Sequence, residues 1–202
     1  MRAPIPDYAA LMAAARCPGD PATLAFAGVI ALAASRRAPY DVPIAGLDRA
    51  ALAALTARLF PRLSASTSWA DAPAPPAASP DEFDDLLALL LEHRSHQDEL
   101  TQWLAHAVAT AAMADNHLWQ DLGLPSRREL SQLMQTHCAS LKQLNAGDMK
   151  WKKFLYRQLC EREGLTICRS PSCVVCSDYP QCFGPEEEVI VPASHESSSA
   201  LA

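Results

Sequence analysis

Apolar residues recur at helical spacing along most of this chain, and polar caps mark where the runs begin. Asp20 followed by Pro21 joins a side-chain acceptor to a ring that presets the first helical turn, so a helix is predicted from there to about Ser35. Asp48 caps a second, which reaches Phe60 before Pro61. Phe83, Leu86, Leu87, Leu90 and Leu91 share a face behind the capping pattern of Ser79, Pro80, Asp81 and Glu82. A further helix is predicted over roughly 97–115, with Leu100, Trp103, Leu104, Ala107, Val108 and Ala111 turned inward. Ser126 and Glu129 form another capping box. It opens a single stripe of Leu130, Leu133, Met134, His137, Leu141 and Leu144, which Asn145, Ala146 and Gly147 stop. Asp148 then caps the last long helix, with Trp151, Leu155 and Leu159 on one face and Phe154 alongside, and Gly164 ends it.

Between these runs lies a proline-rich stretch holding Pro61, Pro73, Pro75, Pro76 and Pro80 among Ala, Ser and Thr, which reads as a linker or long surface loop. The expected organisation is N-terminal helices over 1–60, a linker over 61–80, a helical core over 81–164, a cysteine-rich loop over 165–188 and a disordered tail over 189–202. Half of the residues are hydrophobic, enough for a sizeable core, and alanine, the best helix former, dominates that half. β-branched runs are short, as at Val189, Ile190 and Val191. The expected fold class is therefore all-α: a single helical domain with a C-terminal cysteine-rich metal-binding loop.

Charge changes the picture in one place. The net charge of −6 argues against a nucleic-acid binder. Yet Lys142, Lys150, Lys152, Lys153, Arg157, Arg162 and Arg169 gather just before and at the start of the cysteine loop. They read either as a solvated helix face or as a cationic surround for something anionic. The apolar stretch from Ala22 to Ala34 is too short to span a bilayer, and Pro4, Pro6 and Asp7 break up any export-signal core. Seven cysteines, an odd count with four in one short loop, do not suggest a secreted disulfide framework. A cytoplasmic, reducing compartment is expected, where free thiolates persist for metal.

Those four are Cys168, Cys173, Cys176 and Cys182, spaced C-x4-C-x2-C-x5-C. The short x2 spacing lets two sulfurs meet one centre, and the longer spacings let the chain wrap and deliver two more, with Pro171 and Pro180 stiffening it. From the residues alone three readings stay open. One is an iron–sulfur or mixed-metal cluster, another a structural zinc site, and the third disulfides or unrelated cysteines. Cys17, Cys138 and Cys160 read as small core residues. His93, His96, His106, His117 and His137 are scattered over helices and read as packed or solvated side chains. His117 is the one placed to dock beside the cysteine loop. No serine elbow, phosphate loop or dinucleotide-binding glycine pattern occurs, so no enzyme is expected. An electron-transfer or regulatory 4Fe–4S protein and a zinc-stapled interaction module are the rival functions.

The cysteine motif with the following Phe183, Gly184, Pro185 and Glu186, the string NHLWQDLGLPSRRELSQLM over 116–134 and the string DMKWKKFLYRQLCEREGLTICRSPSC over 148–173 together resemble the NifQ family of nitrogen-fixation accessory proteins. The resemblance covers roughly residues 81–188. It implies a molybdenum carrier in which Cys168, Cys173, Cys176 and Cys182 bind an iron–sulfur cluster containing molybdenum, of the Mo-Fe3-S4 kind. It also implies that molybdenum, arriving as molybdate, passes to the scaffold and reductase proteins that assemble the nitrogenase iron–molybdenum cofactor.

Overall fold

The capping signals at Asp20 and Asp48 find their partners in the computed structural model, which describes residues 5–34, 43–63, 81–165, 173 and 176–186; Ser79 and Pro80 of the next signal lie outside them. Among the described residues there are ten helices and no strand. They are α1 (Tyr8–Ala14), α2 (Pro21–Ala34), α3 (Arg49–Leu59), α4 (Asp81–Glu92), α5 (Glu99–Ala112), α6 (Leu118–Asp121), α7 (Arg127–His137), α8 (Ala139–Leu144), α9 (Trp151–Arg162) and α10 (Tyr179–Phe183). Asp20 accepts from the backbone N–H and the hydroxyl of Thr23, and Asp48 accepts from the Ala51 N–H at 2.8 Å. Asp98 caps α5 through the Thr101 N–H at 2.7 Å, and that bond holds its carboxyl below the usual carboxylate range.

One continuous apolar core runs through the N-terminal helices and the rest of the body, from Leu11 through Phe26, Leu55, Phe83 and Trp103 to Leu155. Helix α5 is central, packing on α2, α3, α4 and α6, while α2 also meets α1 and α7, and α4 meets α9. The meeting of α2 with the turn after α6 is a backbone contact. A Cβ on Gly28 would lie 2.2 Å from the Leu122 carbonyl oxygen and within 2.7 Å of the Gly123 Cα, and Gly123 itself has φ +64. Only glycines fit there.

The structure departs from the sequence reading in four places. Helices α1, α6 and α10 were not expected. The stripe expected to run unbroken from Ser126 to Asn145 is cut at Cys138 (φ −140, ψ 53), and Leu144 ends up 57% exposed. The cut is made by the α4–α5 loop. Ser95 N–H donates to the His137 carbonyl at 2.7 Å and Ser95 Oγ accepts from the Ala139 N–H at 3.0 Å, taking two backbone groups a continuous helix would use itself. Asp148 does not cap α9; it sits in the left-handed region at φ 55, and Lys150 holds the N-cap position. In α4 the fully buried residues are Phe83, Leu86, Leu89 and Leu90, with Leu87 and Leu91 only partly covered. Residues 64–80 of the expected linker, the run from Val189 to Val191 and the tail lie outside the described residues.

Candidate functional site

The turn from Asn145 to Lys150 is the seat on which the cysteine segment rests. Asn145, whose side chain is buried, shapes it: its amide donates to the Met149 carbonyl and accepts from the Met149 N–H, both at 2.9 Å. That closed ring of bonds lets Asp148 take its left-handed turn. Lys150 follows, and its N–H donates to the Cys182 carbonyl at 2.7 Å while its Nζ donates to the Pro180 carbonyl at 3.3 Å. The Pro180 oxygen also accepts from the Gly184 N–H at 2.9 Å, and a Cβ on residue 184 would come within 2.3 Å of it, so glycine is required. Phe183 lies over Gly147, 3.5 Å from where a Cβ would stand, and stacks on Tyr179 with ring centres 4.6 Å apart.

Arg127, the first residue of α7, fastens the far end. Its Nη2 donates to the Asp148 and Met149 carbonyls at 2.6 and 3.0 Å, and its Nη1 meets Glu186 Oε1 at 3.2 Å. The Glu186 side chain is only 5% exposed, and His117 Nδ1 stands 3.7 Å from the same carboxylate oxygen. His117 therefore does lie beside the end of the cysteine segment, as the sequence suggested, at the N-terminus of α6.

Of the four motif cysteines, Cys173, Cys176 and Cys182 are free thiols and partly exposed, and Cys168 lies outside the described residues. The Cys176 N–H donates to the Cys173 carbonyl at 3.4 Å. Cys182 packs partly against the core. Among the described residues, no three His, Cys, Asp or Glu side chains are gathered as a ready-made ion site. Cys138 is buried, as expected of a small core residue, and burial pushes its thiol up to about 12. Cys160 is half-buried and Cys17 exposed, so the core reading holds for Cys138 alone.

The basic group divides sharply. Lys152 is structural: its Nζ lies 2.6 Å from both Asp121 Oδ2 and the Ala114 carbonyl, and Asp121, 2% exposed, also accepts from Asn116. Lys142 pairs with Asp148, Arg157 with Glu161 and Arg162 with Glu92. Lys150 turns to the cysteine segment, and Lys153 is exposed without an ion pair among the described residues. Arg169 lies outside them. Among the described residues, the cationic surround expected from the sequence is thus reduced to Lys150 and Lys153.

Of the other described histidines, His106 and His137 are packed, and His96 is exposed. His106 Nδ1 and the Ala45 carbonyl are 3.0 Å apart, and burial lowers the His106 pKa. His137 contacts Thr101 Oγ1 and stands edge-on to His96, and its pKa is lowered by burial and then by His96. His93 shares a 2.8 Å hydrogen bond with Ser140. No described helix is long and apolar enough to cross a membrane. Sequence reasoning missed Arg127 and Glu186; the only signal was their place in stretches that resemble one family.

Comparison with known proteins reaches further toward the N-terminus than the resemblance over residues 81–188. The NifQ family model matches residues 25–184, a span that includes all four motif cysteines. Protein NifQ of Azotobacter vinelandii is 39% identical over 151 residues, which cover 70% of this chain and 77% of the relative. Protein NifQ of Rhodobacter capsulatus is 40% identical over 141 residues, 70% of this chain and 76% of the relative. Protein NifQ of Klebsiella pneumoniae is 49% identical over 81 residues, 40% of this chain and 48% of the relative. No solved structure gives a significant match.

Proposed function

The chain belongs to the NifQ family of nitrogen-fixation accessory proteins, and from that premise we propose that it carries molybdenum for assembly of the nitrogenase iron–molybdenum cofactor. In this reading Cys168, Cys173, Cys176 and Cys182 hold an iron–sulfur cluster that takes up molybdenum, and the molybdenum is cargo passed to the cofactor assembly proteins.

The observation that carries the reading is the state and seating of the thiols. Cys173, Cys176 and Cys182 are unpaired, partly exposed and held on one short segment whose end is fastened to the helical body. Soft thiolates suit iron and molybdenum–sulfur chemistry, and partial exposure leaves cargo able to enter and leave. When bound, the cluster supplies sulfide bridges and electrons. The chain's own part is to present the thiols, keep the segment in place and draw in an anion. Lys150 and Lys153 are the described cations left to attract molybdate near the segment.

The test is anaerobic purification followed by metal analysis. Brown protein containing both Fe and Mo supports the proposal. Fe without Mo points to a 4Fe–4S electron-transfer or regulatory protein, and colourless protein containing Zn to a zinc-stapled module. In cells, a deletion strain is expected to fix nitrogen poorly at trace molybdate and to recover at high molybdate. Equal impairment at every molybdate level would remove the supply role.

A further inference from the structure

A closed circuit of contacts surrounds the backbone of Cys182. Arg127 grips the Asp148 and Met149 carbonyls on one side and Glu186 on the other. The next residue after Met149 is Lys150, whose N–H holds the Cys182 carbonyl at 2.7 Å. Four residues beyond Cys182 the chain reaches Glu186 and returns to Arg127. One guanidinium thus ties both the residue that binds Cys182 and the segment that leaves it.

The energetics favour the circuit. A carboxylate 5% exposed is costly to bury unless paired, and Arg127, itself 20% exposed, supplies the pair with a planar fork that contacts carboxylate and carbonyls together. Remove the fork and Glu186 regains solvation most easily by lifting the 183–186 stretch off the seat. Helix α7 has no comparable need of Arg127, because Ser126 caps it and Leu130, Leu133 and Met134 bury its inner face.

We propose that Arg127 and Glu186 are a positioning pair that holds Cys182 in the thiolate set; the proposal rests on the reading of Cys182 as a ligand. They touch no metal. They fix the stretch of chain that presents the sulfur, as outer contacts orient ligands in metal sites, where their loss typically costs about 10- to 100-fold in metal affinity.

The test uses the full chain, prepared without metal and kept anaerobic, with two readouts. The first is the rate of Cys182 alkylation, read by peptide mass mapping. Arg127→Met is expected to speed it about tenfold while Cys138 labelling and the helical circular dichroism stay as in the parent. The second is Co(II) affinity, read from thiolate-to-metal charge-transfer absorbance. Arg127→Met is expected to weaken it about tenfold, with partial recovery in Arg127→Lys, which keeps the charge but not the fork. In a double-mutant cycle Glu186→Met should add little once Arg127→Met is present. Unchanged Cys182 labelling overturns the circuit. Unchanged Co(II) affinity in Arg127→Met, with Cys182→Ala still impaired, overturns the positioning role. If Cys182→Ala itself binds Co(II) like the parent, the ligand reading fails and the positioning proposal falls with it, while a faster labelling rate still leaves the circuit as a structural fact.

Discussion

The helical body and the cysteine segment are held by different forces. The body buries whole side chains such as Phe26, Ile30, Leu55, Phe83 and Trp151 in one continuous core. The segment from Cys176 to Glu186 buries no side chain of α10 fully; Cys182 and Phe183 only lean on the core, and the segment stays in place chiefly through main-chain hydrogen bonds, the Lys150 side chain on the Pro180 carbonyl and the Arg127–Glu186 ion pair. Apolar burial is non-directional and cooperative, whereas a few polar contacts can be broken one at a time. The part that is expected to exchange cargo is therefore the part whose opening leaves the body folded.

The sharpest way to break that comparison is to strike the body. Phe26→Ala removes a fully buried ring and is expected to cost about 4 kcal/mol, read by chemical denaturation. A loss below about 1 kcal/mol would show that the core does not dominate. Next comes Lys152→Met, which leaves Asp121 buried with only Asn116 as partner. The expected cost is about 3 kcal/mol, the low end for a broken buried pair because those bonds remain. The same variant tests the division of the basic residues: an altered molybdate requirement without lost stability would return Lys152 to the cationic surround.

Cys173→Ala and Cys176→Ala strike the other side. Each is expected to change body stability by no more than about 0.5 kcal/mol yet to cut bound iron sharply in protein purified without oxygen. Full Fe and Mo in these variants would refute the ligand set. Chelation should likewise leave the helical signal intact, unlike a zinc finger, which unfolds without its metal.

A gentler perturbation is pH. His106 and His137 have folded pKa values lowered by burial, so the unfolded chain binds protons more readily. Their stabilising contribution is present above the ordinary histidine pKa of about 6.5 and is lost as pH falls from there through their lowered folded values. Denaturation midpoints should fall over that window, and His106→Gln should flatten the fall. Smallest of all, Lys153→Glu should leave stability within about 0.5 kcal/mol of the parent, while raising the molybdate requirement if this exposed cation draws in the anion.

How much of this was legible in the sequence depended on whether a signal was local. Asp20–Pro21 and Asp48 set their helix starts through bonds within one turn, and Gly164 at φ +69 ended α9 as expected. The cut at Cys138 was hidden because its cause, Ser95, lies more than forty positions away and nothing in the stripe itself breaks a helix. Asp148 looked like a cap because residue type favours it there. Buried Asn145 spends its amide on Met149 instead and turns the backbone left-handed. The basic run showed its charge but not its partners, since Asp121 meets Lys152 only after folding. The four thiols could be named as candidates because their spacing is written along the chain; Arg127 and Glu186 could not, because a fork and a carboxylate 59 positions apart announce nothing until the fold joins them.

The contact between Gly28 and Gly123 bears on which parts of such a chain can change independently. Gly123 follows α6, and α6 carries His117 at its start and Asp121 at its end, the first facing Glu186 and the second holding the base of α9. A single added methyl at position 28 would push on that small helix and, through it, on the frame around a segment some 150 residues downstream. Inheritance across this family should accordingly treat the two glycines as one trait: a chain that drifts at either position must re-seat α6, and with it the chemistry at the far end.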